Sequence, residues 1–266
     1  MTITQAGTRG VPAFLLISFG FAWAGMAGAW LLGFSLTNPL VQLPFGFAPA
    51  LAAFVVRRWV TREGFADAGL ALRLRQAWRH YLAAWLGPFA LVVVMLATAA
   101  ACGLWQPAWP TAGEWAFVGV LVLIVPLLTP VYWGEEFGWT SYLRLRLVPD
   151  RPVAATLATG LIWAVWHYPL AFFGYIEFGN VVVGLAVWTV SFLCQEVILG
   201  WLRISSGTVW PASLAHAGNN MVLALLTGAV LGEHLDATTT TVVMTVPLAL
   251  AAGWIVLTGR LHDRVG

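Results

Sequence analysis

The feature that most limits what this chain can fold into is its repeated apolar run of roughly 18–25 residues. Such a run is the length a helix needs to cross the hydrocarbon of a bilayer. Eight are present, at about Pro12–Phe34, Pro39–Val56, Tyr81–Leu104, from Glu114 toward Glu135, Pro152–Phe173, Val181–Trp201, from Val209 onward, and Thr240–Leu257. Composition agrees: 60% of the 266 residues are hydrophobic and only 9% are charged, against about a quarter charged in a soluble domain. No alternating strand pattern appears, and backbone groups in lipid must be satisfied internally. The expectation is an all-α polytopic membrane protein of about eight helices in one bundle. The chain 1–266 reads as a single transmembrane domain with its motif-bearing core at about 114–228.

The charges sort by loop. The chain has 13 basic residues, all arginine. With eight spans every one of them falls on the same side: Arg9 before the first; Arg57, Arg58, Arg62, Arg73, Arg75 and Arg79 between the second and third; Arg144, Arg146 and Arg151 between the fourth and fifth; Arg203 after the sixth; Arg260 and Arg264 after the eighth. The positive-inside rule then places both termini in the cytoplasm. The first run has small residues at Ala27–Ala29, as a signal peptide would, but it is too long for a signal h-region and reads as a retained helix. The polar stretch Arg57–His80 is either a short amphipathic helix whose arginines meet anionic headgroups or a charged loop. Cys102 and Cys194 lie in or beside apolar segments and read as buried small residues, not as a disulfide or metal pair.

Ionisable groups at membrane depth are costly and are functional candidates by default. Glu135 and Glu136 end an uncharged run that begins at Trp115. Glu135 precedes Arg144 by about 13 Å of helix, so if Arg144 marks the interface, Glu135 lies well below it. His167 stands in the fifth span and His216 in the seventh, with Asn220 one turn beyond His216 on the same face. Glu196, near the end of the sixth span, reads as a structural partner of Arg203 or Arg144, or as exposed at the interface. A carboxylate, two imidazoles and an amide on separate helices suit a water activated for attack on a carbonyl, with donors for the oxyanion. The set also suits zinc held by Glu135, His167 and His216, although no H-E-x-x-H is present. A proton- or ion-coupled transporter uses the same residue types, so both classes stand open on the residues alone.

Three segments carry a resemblance. "EEFGWTSYLRLRL" resembles the first motif, E-E-x-x-x-R, of the CPBP family of CAAX-processing and bacteriocin-processing (Abi-type) intramembrane proteases. "WAVWH" resembles its second, an aromatic residue four before a histidine, and "HAGNN" its last, H-x-x-x-N. The resemblance implies a peptidase that cuts a peptide or membrane-protein substrate within the membrane. Glu135 and His167 would activate water, His216 and Asn220 would stabilise the oxyanion, and Glu136 would be the supporting carboxylate. The family is described both as metal-dependent and as metal-free; the shared face of His216 and Asn220 favours the metal-free route. Partners implied are membrane lipids and the substrate, with no nucleic acid, and the setting is the plasma membrane of a bacterium. The motif arginine is replaced by Thr140. Arg144, a turn further on, is expected to take its place, and Thr140→Arg is expected to hold Glu136 ionised. A catalytically inactive scaffold is the alternative that this departure raises. The reaction cavity is expected to open to water on the cytoplasmic side.

Overall fold

The structure is a computed structural model that describes residues 9–232 and 234–262; Arg264 lies outside them. All its regular elements are helical, and eight are long and apolar enough to cross a bilayer: Val11–Leu31, Pro39–Val60, Leu74–Ala101, Ala112–Glu136, Pro152–Ala171, Val181–Ser206, Trp210–Leu231 and Ala237–Leu257. Local chemistry sets several starts. Asn38 caps the second span by accepting from Leu40 N. Thr111 and Glu114 form a reciprocal capping box on the fourth. Asn180 and Asp236 cap the sixth and eighth, and Pro152 opens the fifth, where a missing N–H costs nothing.

The seventh span is the innermost. Of its most apolar window 56% is buried, more than in any other span, and it packs on the third, fourth and sixth. Two glycines allow close approaches between spans. A Cβ on Gly218 would stand 2.4 Å from Pro88 Cγ of the third span. One on Gly138, just past the fourth span, would stand 2.3 Å from Pro49 Cβ and 2.7 Å from the Pro49 carbonyl carbon.

The polar stretch 57–80 is not a surface helix. Residues 56–60 continue the second span as a widened turn, with Thr61 N donating to Val56 O. Residues 61–73 are irregular, and Leu74–His80 are the first turns of the third span. Of its six arginines only Arg57 turns inward, while Arg58, Arg62, Arg73, Arg75 and Arg79 are exposed, and the inward charge ties the segment down. Arg57, fully buried, donates to Gly64 O, to Asp67 Oδ1 (2.6 Å) and to Ser141 O. Arg146 donates to Asp67 Oδ2 and lies 2.9 Å from Glu63 Oε1. Arg203 donates to Ser141 Oγ and Asp67 O, which draws the sixth span on past Trp201 to Ser206. Cys102 is exposed rather than buried, Cys194 is half-buried, and both are free.

Candidate active site

The fourth span does not stop its helical course at Glu136. Backbone angles stay helical through Gly138, and residues 139–143 form a π-turn in which Leu143 N donates to Gly138 O. A second π-helical stretch, Asn219–Leu226, follows directly after His216. π-turns inside helices re-aim side chains and recur at functional sites; here one lies within the first motif segment and the other begins within the last.

Glu135 Oε2 accepts from Trp163 Nε1 at 2.7 Å and more distantly from Trp139 Nε1 at 3.4 Å. The indole of Trp163 also meets both histidines edge-on, with ring centroids 5.6 Å from His167 and 5.1 Å from His216. Both imidazoles are within electrostatic range of Glu135. His167 Nδ1 lies 2.9 Å from Trp163 O. A carbonyl can only accept, so Nδ1 carries the proton and Nε2 of neutral His167 has its lone pair free. The ring is stacked on Phe192 at 4.5 Å. His216 Nδ1 lies 2.9 Å from Glu136 Oε1, with both residues buried, which leaves its Nε2 unengaged. Tyr132 packs on the same ring at 4.9 Å. Asn220 Nδ2 donates to His216 O at 3.3 Å, so its amide is tied to its own helix in this arrangement.

Thr140 is fully buried, and its hydroxyl donates to the backbone carbonyl of Glu136, not to a carboxylate. Arg144 is buried as well and does not mark the interface. Its Nε donates to Thr156 Oγ1, and the side chain lies against Gly200 of the sixth span. It is in electrostatic range of Glu196, which in turn is in range of Glu136. Glu196 is therefore no interface residue: it is fully buried, and Arg203 bonds elsewhere. Among the described residues neither Glu196 oxygen nor Glu136 Oε2 has a hydrogen-bond partner.

The candidate zinc ligands Glu135, His167 and His216 do not form a ready ligand set as folded. Among the described residues no three His, Cys, Asp or Glu side chains gather as an ion requires. One Glu135 oxygen is turned to two indoles; Nδ1 of each imidazole is engaged, which leaves Nε2, the other ligating nitrogen, unblocked.

The approach from the arginine-bearing side is filled. Every residue from Glu136 to Arg144 is buried, with the irregular 61–73 segment clasped beneath. An apolar cavity of about 630 Å³ does lie on that flank, lined by Pro44, Phe47, Leu51, Phe65, Trp133 and Phe137 among others. None of the candidate site residues lines it.

Fold and site together define a polytopic helical membrane protein with a carboxylate–imidazole centre at the depth of the bilayer. Residues 111–222, which contain every candidate site residue, match the family model described as type II CAAX prenyl endopeptidase Rce1-like, a family of peptidases and in agreement with the CPBP resemblance. No curated protein matches the chain. Sequence reasoning missed Trp163 as a partner of Glu135. Its signal was in plain view, since Trp163 is the aromatic residue four before His167. The arginine clasp carried no such signal, because its partners come from segments far apart in sequence.

Proposed function

We propose that this protein is an intramembrane endopeptidase acting through one membrane domain, with Glu135, Glu136, His167, His216 and Asn220 as its working residues. The observation that carries this reading is the pinned carboxylate. Trp163 fixes one oxygen of Glu135, leaving the other to take a proton, while two imidazoles stand near it with Nδ1 engaged. Glu135, aided by the free Nε2 of His167, accepts a proton from water as the water oxygen bonds to the scissile carbonyl carbon. His216 in its protonated form donates from Nδ1 to Glu136 and from Nε2 to the developing oxyanion, with the Glu136 carboxylate balancing the charge. Collapse breaks the C–N bond, and the proton on Glu135 passes to the departing amine. Asn220 joins the oxyanion site by exchanging its bond to His216 O for one to substrate. No step is routed through a metal.

The matched family suits a substrate held at the membrane, of which a prenylated CAAX peptide is the first to try. In this reading the termini lie in the cytoplasm of a bacterial cell. The test uses purified protein in liposomes with a farnesylated CAAX peptide and a panel of hydrophobic membrane-segment peptides. Cleavage by wild type but not by Glu135→Gln supports the reading. Proton or ion flux that depends on Glu135, with no peptide cut, would replace it with a transporter.

A further inference from the structure

Burial changes abruptly at the level of the site. On the fourth span every residue from Glu136 to Arg144 is buried, yet Val131 is exposed and Tyr132, Trp133 and Glu135 are half-buried. The seventh span repeats the pattern: Pro211 to Asn219 are all buried, Asn220 and Met221 are half-buried, and Ala224 and Leu225 are exposed. In both spans the closed portion is the one nearer the arginine-bearing loops. The fifth span is short on the other side. Its regular α-helix ends at His167 itself, about 24 Å from its start at 1.5 Å per residue. The sixth span, beside it, runs about 39 Å. A single 3₁₀ turn, Tyr168–Ala171, follows His167, and the chain then folds back so that Tyr175 N donates to Leu170 O.

This segment returns toward the site. Tyr175 is within electrostatic range of the Glu135 carboxylate. Tyr132 is in range of the same two groups. The flanking residues Phe172 and Gly174 are exposed, and Tyr175 is half-buried. On the arginine side the residues that follow Glu135 and Glu136, among them Trp139, Tyr142 and Leu143, are wholly buried.

We propose that the Glu135–His167–His216 centre is entered from the face opposite the arginine-bearing loops, past the 172–180 segment, with Tyr175 lining the entrance. The partner that fits is a polypeptide segment presented from that face. This rests on the peptidase reading for what enters, but the route itself is independent of it.

The test is side-specific thiol labelling in sealed vesicles of each orientation, with a membrane-impermeant, positively charged methanethiosulfonate. Native Cys102 reports the far face, and Arg62→Cys in a Cys102→Ala/Cys194→Ala background reports the arginine face. In that same background, His167→Cys and Met221→Cys are each expected to react at least about tenfold faster from the Cys102 face. Met221→Cys leaves every proposed working residue in place and guards against misfolding of the first variant. Faster reaction from the Arg62 face, or no reaction from either face, overturns the proposal. Because labelling needs no turnover, a protein that cuts no peptide but labels as expected would sink the peptidase reading and leave the route standing.

Discussion

At the scale of single residues, the site depends on which hydrogen bond each carboxylate is given. Trp163 supplies the short bond to Glu135. Trp163→Phe keeps the ring against both histidines and removes the donor, so peptide cleavage should fall about 10-fold or more while the fold survives. A hydrogen bond to a charged group contributes about 1.5–3 kcal/mol, and turnover measured beside a melting curve separates the two effects. Thr140 gives a second test. The motif suggests that arginine at this position would hold Glu136 ionised. The structure has Thr140 fully buried, its hydroxyl spent on Glu136 O. Thr140→Arg is therefore expected to overpack the turn and cost about 1–3 kcal/mol, seen as a lower melting temperature in detergent. A variant as stable as wild type with raised activity would restore the motif's reading.

Between elements, the irregular 61–73 segment is held by charge rather than by helix formation. Asp67 links Arg57 and Arg146. Burial raises its carboxyl, but the two guanidinium groups outweigh this and hold it below its ordinary value of 3.8. A carboxylate with a depressed folded value adds stability that is fully present above the unfolded value and is lost as pH falls through the folded one. The stability gap between wild type and Asp67→Asn should thus stay level from about pH 8 to 5 and shrink only below about pH 4. Its size at neutral pH should be about 1–2 kcal/mol, less than for a fully buried pair, because the Asp67 side chain is 47% exposed. A gap that widens toward acid would contradict the clasp. Gly138→Ala tests the contact of the fourth span with the second, where the obstacle is Pro49 backbone and cannot rotate away. It should destabilise by about 1–3 kcal/mol.

Over the whole molecule, the sequence was most legible where the bilayer dictates the answer. Hydropathy and the sorting of arginines located all eight spans because lipid tolerates only satisfied helices. The second, third and sixth spans ran long or began early, since Arg57, Arg79 and Arg203 look like natural ends of a span. Hydropathy cannot register that Arg57 and Arg203 are paired with partners scattered from Gly64 to Ser141. The pairs Glu136–His216 and Asn220–His216 lay within reach of motif reasoning, as did the meeting of Glu135 with the fifth span. The closed arginine side did not, because it follows from how the turn after Glu136 packs. Everything proposed for the site turns on Glu135 being the base that takes the proton from water. The most direct test is the rate of peptide cleavage in liposomes by wild type and by Glu135→Gln, matched for folding by their melting curves. Loss of about 10²–10⁴-fold is expected, the range for removing a general base; cleavage by Glu135→Gln at the wild-type rate would show that Glu135 is not that base.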